Sequence, residues 1–216
     1  REGLRRRIRA RVMEEMKTVE VSGRNLVLEQ VLLDYVLGTL DQDRQLLAAG
    51  GAEGFRILGL ESRRKATFHG FRFKGFVDRM DSYRDGELRI VDYKTGKVKE
   101  EELAITDENA LQVADKLFAP PGGDRPKIAL QLFLYDFFAH QDPAFRGMTV
   151  VNSIYSTARL YTQPLKDQPE SPAFSALVTE RLRETLDCMV DPAVPFQRTE
   201  DGRSCQWCSF KMICGR

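Results

Sequence analysis

Two acids and a lysine at short spacing are the residues of this chain best suited to do chemistry. The run Gly75-Phe76-Val77-Asp78-Arg79-Met80-Asp81 is followed by Arg89-Ile90-Val91-Asp92-Tyr93-Lys94-Thr95-Gly96. Ile90, Val91 and Tyr93 favour a strand, and side chains two apart on a strand project from one face, so Asp92 and Lys94 stand together. The first run, extended back to Phe71, is a second strand candidate. Between the two, Tyr83-Arg84-Asp85-Gly86-Glu87 carries Asp-Gly, a strong hairpin signal, and folding there returns Asp78 toward Asp92. Two carboxylates sharing one cation suit Mg²⁺ or Mn²⁺, hard ions that take oxygen ligands; Mg²⁺ uses one or two carboxylates and fills its octahedron with water and phosphate oxygens. A metal so held acidifies water, orients it for in-line attack and neutralises phosphate charge. The compact ammonium of Lys94 would position the water or stabilise the transition state. Asp-x-Lys alone is a common strand ending. The Gly-x-x-Asp run one hairpin earlier is what gives it weight.

The elements that must position these groups can be read from periodicity. Strand-like segments run at about 55–61, 66–73, 74–82 and 87–94. An apolar helix over about 126–140 carries Gln131 and Tyr135, four apart and therefore on one face. Polar groups on so apolar a helix need partners; the alternative is that they sit at a core edge with their tips in water. Segment 148–155 reads as another strand and 173–189 as a last helix. Helices are also expected over 2–17 and 25–41, the second with Leu28, Val31, Leu32, Tyr35, Val36 and Leu40 as a core-facing stripe. The polar connection after Lys94, 95–123, holds room for a helix near 104–117 and breaks at Pro120-Pro121-Gly122-Gly123. At the mouth of the site it could meet a nucleic acid, or be a surface insertion. Strands alternating with helices imply a mixed α/β sheet with helical flanks.

Composition sets outer limits. With 216 residues, 42% hydrophobic and 30% charged, the chain can bury the core of one α/β domain, taken as 1–216. No 18-residue apolar stretch is present and the arginine-rich start lacks an apolar run behind it, so neither a membrane span nor a signal peptide is indicated. A net charge of +1 leaves nucleic-acid affinity to local patches. One candidate is Arg1, Arg5, Arg6, Arg7, Arg9 and Arg11, which equally describes a solvated helix face. Cys205, Cys208 and Cys214 follow a Cys-x2-Cys-x5-Cys spacing suited to zinc or to an iron–sulfur centre. Cys188 is either a fourth ligand or an ordinary buried helix cysteine, the second being favoured. Disulfides are disfavoured in a cytosolic protein.

With these motifs in order, the sequence resembles the PD-(D/E)XK nucleases of the RecB and AddB type. The resemblance rests on Gly75 to Asp81, on Ile90-Val91-Asp92-Tyr93-Lys94-Thr95-Gly96, on Gln131-x-x-x-Tyr135 and on Cys205-Gln206-Trp207-Cys208-Ser209-Phe210-Lys211-Met212-Ile213-Cys214. It implies a restriction-endonuclease-like mixed sheet and a divalent metal held by Asp78, Asp92 and the Tyr93 carbonyl. It also implies Lys94 as catalytic residue, Gln131 and Tyr135 beside the site, and a [4Fe–4S] cluster on the tail, 188–216. Glu61 matches a glutamate often seen before the first aspartate motif. Two family features are missing: an upstream cysteine, and a Gly-x-x-x-His-like helix whose histidine joins the site. His69 and His140 stand in no such motif. Together with the start at Arg1 inside a helical pattern, this reads as the C-terminal piece of a longer polypeptide, its site and cluster incomplete.

The expectation is therefore a cytoplasmic, Mg²⁺-dependent DNA exonuclease domain of a bacterial helicase–nuclease, partnered by DNA and by a helicase domain or subunit. Two other classes compete. A catalytically weak DNA-binding or scaffolding module would leave Asp78, Asp92 and Lys94 without a task, and so would a purely structural iron–sulfur or zinc domain.

Overall fold

In the computed structural model, residues 1–96, 98–99, 102–120, 125–162 and 166–215 are described. The elements are α1 (Glu2–Met16), α2 (Arg24–Gly50), β1 (Arg56–Phe68), β2 (Phe71–Ser82), β3 (Glu87–Lys94), α3 (Ala110–Leu117), α4 (Lys127–Gln141), β4 (Thr149–Ser156), β5 (Gln168–Pro169), α5 (Pro172–Val190) and α6 (Gly202–Cys205). The strands form one mixed sheet in the order β1-β2-β3-β4-β5. β3 and β4 are parallel and the other pairs antiparallel. Helices flank this sheet, as the alternating pattern implied.

β1 and β2 form a longer ribbon than expected. Where the sequence pattern put a break near 62–65 and a strand boundary at 73–74, β1 runs unbroken to Phe68, which pairs with Phe71. The chain reverses at His69-Gly70, both at positive φ (48° and 79°), the geometry of a two-residue turn whose twist matches that of the strands. β2 and β3 then pair over a short stretch, Arg79↔Val91, Met80↔Ile90 and Asp81↔Arg89. Beyond Arg79 they part: β2 continues beside β1, and β3 beside β4 through Asp92↔Ile154 and Lys94↔Ser156. The result is a fork in the sheet with Asp78 on one prong and Asp92 on the other.

One face of the fork is closed by α4. Leu132, Tyr135 and Phe138 of α4 cluster with Met80, Leu88, Ile90 and Val150 of the sheet. On its other side, Ala129 and Phe133 pack with Val113, Leu117, Phe174 and Val178 of α3 and α5. A helix apolar all round is one buried on both sides, which explains why 126–140 shows no polar stripe. Each fully buried aliphatic or aromatic side chain contributes about 1.5–3 kcal/mol. α5 is started by the Ser171 hydroxyl, which accepts from the Phe174 N–H at 3.2 Å, with Pro172 as first helical residue. A hydrogen bond from Asn152 Nδ2 to Asp136 Oδ1, 2.8 Å, ties α4 to β4. Both residues are buried, and burial pushes the Asp136 carboxyl well above the ordinary carboxylate range.

The other face carries charge. Arg89 and Asp81 are both 0% exposed and form a two-pronged pair, Nε to Oδ1 at 2.8 Å and Nη2 to Oδ2 at 2.9 Å. Arg79 bonds the same Asp81 and donates to Asp43 of α2 at 2.8 Å. The Tyr155 hydroxyl donates to Asp43 and accepts from Arg89. The Phe55 ring lies 4.7 Å and 4.4 Å from the two guanidinium carbons. This network corrects the reading of α2. Its buried residues include Glu29, Leu33, Gln42 and Asp43, whereas Leu28, Val31, Tyr35 and Leu40 of the expected core stripe are exposed. α2 docks through polar partners: Asp43 on the sheet arginines, Gln42 on the Leu160 carbonyl, and Glu29 on Arg9 of α1.

Other expectations shift less. The helix foreseen near 104–117 begins at Ala110. Within the Pro120–Gly123 break, 121–123 lie outside the described residues. Cys188 is exposed near the end of α5 rather than buried in it. Arg9 pairs with Glu29, and Arg11 with Glu14 and Glu15, so part of the arginine-rich start is structural. Among the described residues no helix is long and apolar enough to cross a membrane.

Two outcomes test this packing. Asp81→Ala leaves Arg89 buried without its carboxylate and should lower unfolding stability in urea by about 3–5 kcal/mol; a loss under about 1 kcal/mol would contradict the buried network. Asp136 has a folded-state pKa above its unfolded value of about 3.9, so its stabilising protonated form is present at low pH and lost as pH rises. Asp136→Asn should therefore become more stable relative to wild type between about pH 4 and pH 7. An equal difference at both pH values would refute the shift.

Candidate active site

The fork explains how a half-buried carboxylate, Asp78, and a buried one, Asp92, come to stand on its two prongs. Where β2 leaves β3, the Tyr93 N–H has no strand partner, and Asp78 Oδ2 accepts it at 2.8 Å. The side chain completes the ladder that the backbone abandons. Asp92 is 2% exposed. Its Oδ1 accepts from Gln131 Nε2 at 2.9 Å and lies 3.3 Å from the Tyr135 hydroxyl. Its Oδ2 sits 2.7 Å from Lys94 Nζ but accepts no hydrogen bond. The ammonium is aligned instead on Gln131 Oε1, 2.6 Å away.

Gln131 thus has every polar atom assigned. Its oxygen receives Lys94, and its nitrogen serves Asp92 and, at 2.6 Å, the Tyr135 oxygen. Only one amide orientation satisfies all three. The Tyr135 hydroxyl also lies 3.0 Å from the Phe76 carbonyl, a group exposed by the parting of β2 from β3. Burial first, and then the Asp92 and Asp78 carboxylates, push the Tyr135 phenol pKa up, so this hydroxyl keeps its proton. The i, i+4 spacing on α4 is what lets one helix reach both prongs.

Supporting residues come from farther away. The Thr157 N–H donates to the Lys94 carbonyl at 2.9 Å, and the Ser156 and Thr157 hydroxyls hold the Gly96 and Thr95 carbonyls. Glu102, buried in the connection after β3, accepts from the Ile128 N–H at 3.2 Å and so caps the first turn of α4. Sequence reading missed Glu102, whose partner is 26 residues away. It also missed Arg79, Asp81 and Arg89, although charges at alternate positions of an otherwise apolar strand pair were a visible signal.

Glu61 falls in register between Leu60↔Arg79 and Ser62↔Val77, hence opposite Asp78. Its φ is 45°, a left-handed conformation that costs a side-chain-bearing residue roughly 1–2 kcal/mol. The carboxylate is exposed, with no hydrogen bond or ion pair among the described residues. The tail cysteines are not brought together in the same way: Cys205, Cys208 and Cys214 are free, partly exposed thiols on α6 and the turns after it. Among the described residues no group of three or more His, Cys, Asp or Glu is gathered to hold a metal. A hard divalent ion asks less, one or two carboxylates with the other positions left to water and substrate. The buried Asp92 Oδ2, ion-paired with Lys94 but accepting no hydrogen bond, on the prong facing that of Asp78, fits that demand.

Residues 2–215 match the family model of the PD-(D/E)XK nuclease superfamily, and the chain belongs to that superfamily. Its mixed five-stranded sheet with flanking helices is the restriction-endonuclease-like fold. Membership points to a nuclease, a hydrolase that typically uses divalent metal. No curated protein matches the chain in sequence. Among solved structures, the crystal structure of SSO0001 is 16% identical, with 95% of this chain and 79% of that one covered and a TM-score of 0.35. So loose a likeness carries no argument.

If Asp92 and Asp78 hold an ion, Mg²⁺ or Mn²⁺ at a hundred times its dissociation constant should stabilise the folded protein by about 2.7 kcal/mol. The rise in Tm should vanish in Asp92→Asn and shrink in Asp78→Asn. Equal metal-induced shifts in all three proteins would place the ion elsewhere.

Proposed function

We propose that this chain is one metal-dependent nuclease domain of the RecB/AddB type, an exonuclease that hydrolyses DNA phosphodiesters. Its setting would be a bacterial cytoplasmic helicase–nuclease acting in DNA repair and recombination, with a helicase domain or subunit as partner. The observation that carries the reading is Asp92, a buried carboxylate with one oxygen satisfied by Gln131 and Tyr135 and the other approached by Lys94 without a hydrogen bond. A purely structural ion pair would align its ammonium on the carboxylate oxygen it pairs with. Here the ammonium is held off-axis by Gln131, as suits a group that must turn toward a third participant.

Asp78, Asp92 and the Tyr93 carbonyl would hold the cation. When bound, it supplies charge neutralisation at the scissile phosphate and acidifies water. Lys94, its side chain a quarter exposed and its Nζ fixed at 2.6 Å on Gln131 Oε1, can donate to an attacking water or to a non-bridging phosphate oxygen. Tyr135, protonated and bonded toward the Phe76 carbonyl, keeps β2 and α4 in position while Gln131 orients the lysine. Glu61 would be a further carboxylate at the rim. The tail, 188–216, remains a candidate seat for a [4Fe–4S] or zinc centre only if a metal draws its sulfurs together, with Cys188 or a ligand from outside 1–216 as the fourth. Stoichiometric iron or zinc that is lost in Cys188→Ser would assign the fourth ligand to Cys188.

With Mg²⁺ or Mn²⁺ the protein should degrade DNA. Lys94→Ala and Asp92→Ala should each slow it about a hundredfold or more, since removing such a group costs roughly 3 kcal/mol at the transition state. Circular dichroism checks that both variants fold. Equal degradation rates for wild type and both variants would assign the activity to something other than this site.

A further inference from the structure

Beyond the fork, the outer face of the β1–β2 ribbon carries four cations, Arg63, Lys65, Arg72 and Lys74, that neither the site nor the core uses. Exposure alternates along 62–68 of β1 and 71–77 of β2. Arg63, Lys65 and Thr67 of β1 are exposed, as are Arg72, Lys74 and Phe76 of β2, and the residues between them turn inward. Register makes these cross-strand pairs, Arg63↔Phe76, Lys65↔Lys74 and Thr67↔Arg72, and directly opposed residues share a face. Toward the fork, Glu61 and Asp78 lie between the pairs Ser62↔Val77 and Leu60↔Arg79. One strip thus leads from the candidate site out along the ribbon, about 20 Å at the rise of an antiparallel strand.

None of the four cations on this strip, Arg63, Lys65, Arg72 and Lys74, has an ion pair or side-chain hydrogen bond among the described residues. Two of them, Lys65 and Lys74, are directly opposed, an arrangement that destabilises a strand pair in the free protein. An anionic partner would reverse the sign of that interaction. Phe76 is 60% exposed at the end nearest the site, and its own carbonyl is 3.0 Å from the Tyr135 hydroxyl. An exposed ring costs solvation and is useful where a flat apolar partner covers it. Cations tracking a backbone with an aromatic beside them are how proteins bind single-stranded nucleic acid without reading sequence.

We propose that the outer face of the β1–β2 ribbon is a track for single-stranded DNA, with Arg63, Lys65, Arg72 and Lys74 on its phosphates and Phe76 stacking an unpaired base at the entrance to the site. This rests on the nuclease reading and gives it a substrate form. A base in a duplex is already stacked on both sides, so Phe76 can reach only an unpaired one. Each lysine or arginine on a phosphate releases counterions, which makes the binding salt-dependent. The strip would deliver a strand to the fork lengthwise, ahead of any cutting.

The test separates binding from cleavage. With the full chain and metal chelated, a fluorescein-labelled oligothymidylate and a labelled duplex of equal length are titrated by fluorescence anisotropy at several salt concentrations. Wild type should bind the single strand more tightly. Lys65→Gln/Lys74→Gln should weaken that binding about tenfold or more and flatten its salt dependence by close to two phosphate contacts. Phe76→Ala should weaken single-strand binding and leave duplex binding unchanged, and Phe76→Trp should restore it. Exposed side chains are changed throughout, and matched melting temperatures confirm folding. Unaltered single-strand affinity in the double variant would overturn the track, and so would equal losses on duplex and single strand with Phe76→Ala neutral. A wild type that binds through these residues but cuts nothing with Mg²⁺ or Mn²⁺ would sink the nuclease reading and leave the track standing. One that cuts, with ribbon variants that bind as it does, would do the reverse.

Discussion

A carboxylate as deeply buried as Asp92 is stable only if its charge is compensated within a few ångströms. That requirement organises the middle of the molecule. Lys94 must stand two residues along the same strand, Gln131 must fix the lysine and supply an N–H, and Tyr135 must close the remaining side. Two of these groups ride on α4, so the helix has to cross the parallel pair β3 and β4 at one height. Its apolar flanks, buried against the sheet on one side and α3 and α5 on the other, set that height. Compensation of one oxygen remains loose, which is what distinguishes the arrangement from a finished salt bridge.

The opposite face of the sheet solves a similar problem to a different end. Arg79, Arg89, Asp81 and Asp43 are saturated with one another and with Tyr155. The two networks meet through β3, where Arg79 Nη1 lies 3.4 Å from the Tyr93 hydroxyl while the Tyr93 N–H is held by Asp78. The rigid network thus clamps the strands just before they diverge, and the fork opens from a fixed hinge line.

Short-range order explains what could be read from sequence. The pairing of Asp92 with Lys94 depends on a period of two, that of Gln131 with Tyr135 on a spacing of four, and the approach of Asp78 on a turn at Asp85-Gly86. All are local rules. The α2 stripe misled because amphipathic spacing reports which side is apolar, not which side meets the core; Asp43 and Glu29 take α2 inward through arginines that lie elsewhere in the chain. The turn at His69-Gly70 carries no Asn-Gly or Asp-Gly dipeptide, so its positive φ angles left no strong hairpin signal in the sequence. Glu102 could not have been found, since capping a helix start 26 residues on leaves no periodic trace.

The left-handed backbone at Glu61 has a consequence for how this protein can be improved or spoiled. Glycine would occupy that conformation without strain, so any search for stability alone drifts toward removing the side chain. Asp78 lies across the ribbon between the same flanking pairs, so the same drift thins the negative charge at the fork. Thermal robustness and charge density at the fork therefore pull in opposite directions at a single codon, and a stabilised variant carrying glycine there would have been selected against the feature that makes the position unusual.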